Sequence, residues 1–204
     1  MLKLGLTGSI AVGKSFVCEV LREFGCHVLD ADLTARDVVA KGTDGLAEIV
    51  RHFGNDVLLP DGALDRRKVG AVIFADEKKR ELLNSIVHPR VIEAQDAWIH
   101  NLEPQHPNGI AVVDAALMIE SGGYKRFNKL IVVWCKPALQ LERLMLRDNL
   151  SADQAKKRIA AQMPQDEKKR YADYLIDTSS GFDHTRIQTG KVVDQLRISA
   201  TGEC

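Results

Sequence analysis

Near its amino terminus the chain reads Gly8-Ser9-Ile10-Ala11-Val12-Gly13-Lys14-Ser15, which fits the phosphate-binding pattern G-x-x-x-x-G-K-[ST]. The apolar segment Leu2–Leu6 precedes it and predicts a strand, and the residues Ser15–Phe24 predict a helix that Gly25 ends. Glycines here let the chain turn and aim backbone N–H groups at an anion, which the positive end of the helix also faces. This stretch, called the phosphate loop below, therefore predicts binding of a nucleoside triphosphate.

The residue types of the phosphate loop have separate predicted functions. We expect the ammonium of Lys14 to reach the β- and γ-phosphates and the hydroxyl of Ser15 to ligate Mg²⁺. The alternative is a glycine-rich turn with an uninvolved lysine, which the flanking strand and helix disfavour. The residues expected to bind ATP here are Gly8, Ser9, Ala11, Val12, Gly13, Lys14, Ser15 and Phe16.

Composition limits the class of protein. The 204 residues are 45% hydrophobic, enough to bury a full core as a single domain, 1–204. Lys+Arg and Asp+Glu both total 28, and this balance argues against nucleic acid or an anionic membrane as a partner. The sequence shows neither a membrane-spanning stretch nor a secretory leader, so we expect a cytoplasmic protein. Buried, reduced thiols are expected at Cys18, Cys26, Cys135 and Cys204.

Predicted strands and helices alternate along the chain. After the first strand, apolar runs predict strands over Cys26–Leu29, Ile110–Asp114, Leu130–Cys135 and Tyr174–Asp177. A long charged region predicts helices over 33–40, 45–53, 65–74 and 77–100, broken by turn signals at Gly54-Asn55, Pro60–Gly62 and His88-Pro89. Further helices are predicted to begin at Pro137, at the capping box Ser151–Gln154 and near Asp183. This alternation predicts an open parallel α/β sheet with helices on both faces.

Two classes of triphosphate-binding protein have to be separated. A guanine-nucleotide switch usually carries D-x-x-G and N-K-x-D motifs, and neither occurs here, since Asn128-Lys129-Leu130-Ile131 lacks the aspartate. A small-molecule kinase needs a residue that orients the acceptor hydroxyl, an acceptor pocket and a cationic segment that closes on the transferred phosphoryl group. The sequence offers candidates for these parts and favours the kinase.

The candidate catalytic residues each have a structural alternative. Asp32, just after the second strand, is the candidate for orienting the hydroxyl, although Asp30 or Asp32 could instead cap the next helix. Asp114, at the end of a strand, is the candidate for holding Mg²⁺ or its water, and it too could be a cap. For the arginines the alternative to phosphate contact is a solvated helix face. These are Arg143, Arg147 and Arg158, on consecutive predicted helices.

Several segments together resemble the dephospho-CoA kinase family. They occur in family order from residue 5 to about residue 178, and the D-A-D, H-P and Q-x-x-R elements are far more specific than the phosphate loop alone. The resembling segments are Gly5–Ser15, Asp30-Ala31-Asp32 with Ala35-Arg36, Gly62–Arg66, Leu83–Val87 with His88-Pro89, Ala116–Glu120, Gln140–Leu144 with Arg147-Asp148, Arg158-Ile159 with Gln162, and Ala172–Asp177.

The resemblance implies a P-loop NTPase fold: a five-stranded parallel sheet flanked by helices, with a helical acceptor-binding insertion at about 33–100 and a lid at about 140–165. It implies transfer of the ATP γ-phosphate, with Mg²⁺, to the ribose 3′-hydroxyl of dephospho-CoA, which is the last step of coenzyme A synthesis. Asp32 is then the catalytic base or acceptor positioner, Lys14 and Arg143 act on the transferred phosphoryl group, and Arg147 binds ATP. The acceptor side includes Asp32, Arg36 and His88, with a helix break as the alternative for His88.

The chain departs from the family pattern at three places. The loop interior Ser9–Val12 has fewer glycines than is usual, Ala116 replaces a proline, and Thr178 replaces an asparagine often seen after the last strand. These departures affect local geometry and remove no group with an assigned catalytic role. Two other interpretations stay open: a kinase of another nucleoside or nucleotide, and a non-catalytic ATP-binding regulatory protein. The oligomeric state, monomer or small homo-oligomer, also stays open.

Overall fold

The protein is described here by a computed structural model that covers the backbone of residues 1–201 and the side chains of residues 1–198. Cys204 lies outside the described residues. The described chain forms two compact units, one of residues 1–29 with the chain from residue 103 onward, the other of residues 30–102. Within the described residues, no helix is long and apolar enough to cross a bilayer.

The larger unit is built on a five-stranded sheet of order β2-β3-β1-β4-β5. The strands are β1 (Leu2–Gly8), β2 (His27–Asp30), β3 (Ile110–Asp114), β4 (Lys129–Trp134) and β5 (Tyr174–Asp177). Strand β1 pairs in parallel with both β3 and β4, and β4 pairs in parallel with β5. Since a strand inside a parallel sheet is covered on both faces, the apolar runs that predicted β3 and β4 are buried almost throughout. The predicted parallel α/β sheet is confirmed.

The helices of this unit are α1 (Lys14–Glu23), α6 (Pro137–Asp148), α7 (Ala152–Ala160), α8 (Gln165–Lys169) and α9 (Phe182–Thr201). Helices α1, α8 and α9 contact the sheet, and α7 packs on α6. Helices α1 and α9 lie against each other, and Leu21 and Leu196 join Leu6 and Ile131 in one core, all four fully buried. Local signals set the helix starts as predicted, with Pro137 in the first turn of α6 and a complete capping box at Ser151 of α7.

The second unit, residues 30–102, is helical. Its helices are α2 (Ala31–Asp37), α3 (Asp44–Phe53), α4 (Arg66–Ala75) and α5 (Glu77–Leu102), with a short 3₁₀ turn at Asn55–Val57. Val39, Ile49, Val57, Val69 and Ile86 form its own buried core. This unit falls where the resemblance implied an insertion, and its function in acceptor binding stays a prediction.

The predicted helix break at His88-Pro89 is wrong. Helix α5 continues through Pro89, although a proline inside a helix removes one backbone hydrogen bond and costs about 3 kcal/mol. Helices α2, α3 and α4 all pack on α5, and this burial outweighs the local cost. Pro89 has no N–H for the carbonyl of Ser85, and one residue further along the guanidinium of Arg90 adds a side-chain hydrogen bond of 2.7 Å to the carbonyl of Ile86.

Candidate active site

The phosphate loop joins the carboxyl end of β1 to the first residue of α1. Gly13 has φ 88°, in the left-handed region where a side chain is strained. A Cβ at Gly8 would stand 2.6 Å from the carbonyl oxygen of Val133, closer than packing allows. Both glycines of the motif are therefore required by geometry, one by its backbone conformation and the other by the neighbouring strand.

The interior of the loop shows the effect of its missing glycines. Ala11 has φ 60°, a left-handed conformation that costs a non-glycine residue about 1–2 kcal/mol. The side chain of Val12 is fully buried in the core, so any contact of this residue with ATP is made by its backbone. The hydroxyl of Ser9 is buried and has no hydrogen-bond partner among the described residues.

Lys14, Cys18 and Asp114 meet at the loop. The ammonium of Lys14 contacts Oδ1 of Asp114, and the thiol of Cys18 donates to Oδ2 at 3.3 Å. Burial, with the nearby charge of Asp114, raises the pKa of the Cys18 thiol to about 12, so the thiol stays protonated and remains a donor. In the described residues the next helical element after Asp114 begins only at Gly123, so Asp114 does not cap a helix.

Arg143 lies beside the phosphate loop. Its Nη1 donates to Oγ1 of Thr178 and its Nη2 to the Thr178 carbonyl, both at 2.9 Å, and Oγ1 donates in turn to the carbonyl of Val12 at 2.6 Å. A Cβ built on Gly13 would stand 3.4 Å from Nη1. The solvated-face alternative for Arg143 is therefore wrong.

The other two arginines share one carboxylate. Nε of Arg147 lies 2.8 Å from one oxygen of Asp148, and Nη1 of Arg158 lies 2.7 Å from the other. The hydrogen bonds and charges of these arginines hold the pKa of Asp148 below its usual range. More than half of each arginine side chain is exposed. Arg143 and Arg147 thus have different partners despite their i, i+4 spacing, and phosphate binding by Arg147 stays a prediction.

The predicted acceptor residues all belong to the helical unit. Asp30 caps α2, because its Oδ1 accepts from the N–H groups of Asp32 at 2.8 Å and Leu33 at 3.0 Å. Asp32 is therefore not the cap and lies in the first turn of α2. Arg36 is exposed in the last turn of the same helix. His88 borders a groove of about 760 Å³ along α5, with Pro89, Ile92, Glu93, Asp96, Ala97 and His100.

Glutamines around the loop are functional candidates that sequence reasoning missed. The N–H of Ile10 donates to Oε1 of Gln162 at 2.7 Å, and its carbonyl accepts from Nε2 of Gln140 at 2.8 Å. Both glutamines lie in segments that resemble the family, Gln140 three residues before Arg143 and Gln162 four residues after Arg158. The charged arginines had predicted functions and the glutamines had none. Position in those motifs was the only available signal, because neither residue carries a charge or a reactive group.

A parallel sheet of order 2-3-1-4-5, with a phosphate loop between its central strand and α1 and an arginine beside that loop, defines a P-loop kinase. A sequence profile described as "Dephospho-CoA kinase" matches residues 2–184. The chain therefore belongs to the dephospho-CoA kinase family.

Individual relatives agree with this assignment. A dephospho-CoA kinase of Listeria innocua is 46% identical over 195 residues, 95% of this chain and 96% of the relative. A dephospho-CoA kinase of Oryza sativa is 42% identical over 90% of this chain and 79% of its own length. The solved dephospho-CoA kinase of Campylobacter jejuni superposes with a TM-score of 0.73, 27% identity and coverage of 99% and 98% of the two chains. A shikimate kinase of Bacteroides thetaiotaomicron, at 13% identity and a TM-score of 0.51, shares the fold.

Proposed function

We propose that this protein transfers the γ-phosphate of ATP to the ribose 3′-hydroxyl of dephospho-CoA, giving CoA and ADP. The observation that carries the proposal is the phosphate loop, which contains Lys14 and has Arg143 beside it. The family profile matches residues 2–184, a range that includes all five strands of the sheet. The 3′-oxygen forms a bond to the γ-phosphorus, the bond from that phosphorus to the β–γ bridging oxygen breaks, and Asp32 takes the hydroxyl proton.

The loop side of the reaction is supported by its backbone and its cations. The left-handed Gly13 followed by the first turn of α1 makes a concave set of N–H groups, which suits phosphate oxygens. Lys14 would exchange the carboxylate of Asp114 for the β- and γ-phosphates when ATP arrives. The planar guanidinium of Arg143 would offer paired donors to the transferred phosphoryl group, which spreads its charge over three equatorial oxygens.

The donor set fits Mg²⁺ bound together with ATP. The hydroxyl of Ser15 and the carboxylate of Asp114 are hard oxygen donors of the kind that Mg²⁺ prefers. The described residues hold no group of three or more His, Cys, Asp or Glu side chains able to bind a metal by themselves. Mg²⁺ in kinase sites is usually bound through one or two protein oxygens together with substrate phosphates and water. Bound Mg²⁺ would neutralise charge on the β- and γ-phosphates.

The acceptor side rests on sequence position and resemblance. Because Asp30 caps α2, the carboxylate of Asp32 is not needed for that purpose and is proposed as the proton acceptor. Arg36 and His88 are proposed to bind the acceptor, and the helical unit of residues 30–102 is proposed as its binding region. The remaining proposals are a lid at about 140–165 and a cytoplasmic location.

A direct assay tests the function. The purified protein is given ATP, Mg²⁺ and one of dephospho-CoA, AMP, CMP or adenosine, and ADP is measured together with the mass of the phosphorylated product. We expect ADP only with dephospho-CoA, and a product phosphorylated at the 3′-position. Transfer to another acceptor would assign the protein to a different kinase activity, and ATP binding without transfer to any acceptor would indicate a regulatory protein. Lys14→Ala serves as the inactive control.

A further inference from the structure

Both backbone polar groups of one phosphate-loop residue are bound by glutamine side chains. The N–H of Ile10 donates to Gln162 at 2.7 Å and its carbonyl accepts from Gln140 at 2.8 Å. Ile10 lies in a loop, where the backbone hydrogen bonds of a strand or a helix are not made. The two bonds from the glutamines therefore orient the peptide planes on either side of Ile10. The glutamines thereby help to set the shape of the loop that faces the phosphates.

The amide orientation of Gln140 follows from a chain of hydrogen bonds. The N–H of Cys135 can only donate, and it donates to Oε1 of Gln165 at 3.0 Å. Nε2 of Gln165 then donates to Oε1 of Gln140 at 2.7 Å, which leaves Nε2 of Gln140 to donate to Ile10. Gln140 is only 2% exposed, so water does not substitute for these partners.

The segment that carries Gln162 is itself anchored. The N–H of Met163 donates to Oε1 of Glu120 at 3.4 Å, and Glu120 pairs at 2.8 Å with Lys168, whose side chain is fully buried. Nζ of Lys168 also donates to the carbonyl of Ala116 at 2.8 Å. Gln162 is therefore presented to the loop from a position tied to the residues after β3.

The two glutamines stand at the two ends of one stretch of chain. Residues 141–161, called the arginine segment here, carry Arg143, Arg147 and Arg158. Between the ends, α6 ends at Asp148 and the chain turns at Asn149, which has φ 51°, before α7 begins at Ala152. Asp148 forms ion pairs with Arg147 and Arg158 at this turn. Both ends of the arginine segment are thus bound to a single loop residue. Between them the segment buries Leu144 and Ala155, and the ion pairs of Asp148 lie at the surface.

We propose that Gln140 and Gln162 are positioning residues that hold both ends of the arginine segment on Ile10, which keeps its arginines in register with the bound triphosphate. Neither glutamine touches the substrate in this proposal. It rests on the proposed phosphoryl transfer. An arrangement held before nucleotide arrives lowers the entropy cost of binding and of reaching the transition state.

The test replaces Gln162 and compares it with a matched control. Gln162→Met keeps the length of the side chain and removes the acceptor for the Ile10 N–H. The control is Gln154→Met in the same segment, because Oε1 of Gln154 also accepts from one backbone N–H, that of Ser151 at 2.9 Å, within the capping box of α7. Each variant loses one hydrogen bond between a side chain and the backbone. A difference between the two variants in ATP binding or kcat therefore reports the contact of Gln162 with the loop.

Three quantities are measured on wild type and both variants: hydrogen exchange of the Ile10 amide, the Kd for ATP, and steady-state kinetics. In Gln162→Met we expect faster exchange at Ile10, a Kd for ATP raised about three- to tenfold and a kcat lowered by a similar factor, as one lost hydrogen bond allows. The KM for dephospho-CoA should stay within about twofold. Gln162→Glu keeps an acceptor oxygen and should restore slow exchange at Ile10.

Unchanged exchange at Ile10 in Gln162→Met would overturn the proposal, and so would ATP binding and kcat equal to those of Gln154→Met. The exchange and ATP-binding measurements need no acceptor, so they decide the inference even if dephospho-CoA is not the substrate. Failure of the wild type to phosphorylate dephospho-CoA would refute the proposed function separately. A Gln162→Met protein that did not fold would also count against the proposal, because Gln162 would then be a general stability residue.

Discussion

Replacing Arg143 tests the central claim that this arginine acts on the transferred phosphoryl group. Arg143→Ala removes a guanidinium that makes two hydrogen bonds of 2.9 Å to Thr178 beside the loop. The loss of a preorganised charged donor from a transition state typically lowers kcat by about 10²–10³-fold, or about 2.7–4 kcal/mol. We expect a fall of this size in kcat, with the KM for dephospho-CoA changed by less than about threefold.

The bonds to Thr178 also predict a change in stability. Because both bonds are only partly buried and water competes for the guanidinium, we assign the two together about 1–2 kcal/mol of the free energy of unfolding, less than two fully buried bonds to a charged group contribute. For a chain of this length this corresponds to a fall of about 2–8 °C in Tm. Arg143→Lys should recover only part of kcat, because a single ammonium cannot reproduce a planar pair of donors.

Steady-state kinetics and thermal unfolding of both variants separate the outcomes. An effect on KM alone would assign Arg143 to ground-state binding, and a fall in Tm without any loss of kcat would make it a structural residue. Thr178→Val is the informative companion, since it keeps Arg143 and removes the hydroxyl that joins it to the Val12 carbonyl. A small loss of kcat in Thr178→Val would measure what the orientation of the guanidinium contributes. The large loss in Arg143→Ala would measure what the guanidinium itself contributes.

Four further predictions concern the loop and the acceptor side. Lys14→Ala should stay folded by circular dichroism and lose more than about 90% of kcat, since it removes a charge-stabilising contact; greater residual activity contradicts the phosphate-loop interpretation. Asp32→Asn should lower kcat about 10²–10⁴-fold and leave the Kd for ATP unchanged; the opposite pattern, measured by calorimetry and kinetics, would place Asp32 in the nucleotide site. Ser9→Ala should raise the free energy of unfolding by about 1 kcal/mol, because the buried hydroxyl has no described partner; a lower denaturant midpoint would show that the hydroxyl has one. The pKa of the Cys18 thiol is near 9.0 in the unfolded chain and about 12 in the folded protein, so the folded protein holds this proton more tightly. The free energy of unfolding should therefore fall as pH rises from about 9 toward 12. A Cys18→Ala variant that loses as much Tm at alkaline pH as the wild type would refute this assignment.

The sequence by itself determined the features that depend on neighbouring residues. The spacing of glycine, lysine and serine predicted the phosphate loop, Pro137 predicted the start of α6, and the capping box at Ser151 predicted α7. The apolar runs predicted β3 and β4 to within a residue of their bounds. Each of these signals is local, because strand periodicity, caps and turns depend on residues only a few positions apart.

Only the tertiary structure decided between alternatives that local patterns left open. It made Asp30 the cap of α2, separated Arg143 from Arg147, and kept α5 continuous at Pro89. Helix α8 escaped prediction because its five residues are too few to show a period. The bond of Gln162 to the loop joins residues 152 positions apart. Such contacts follow from where the packed sheet and its helices bring the chain together, and no pattern of nearby residues encodes that placement.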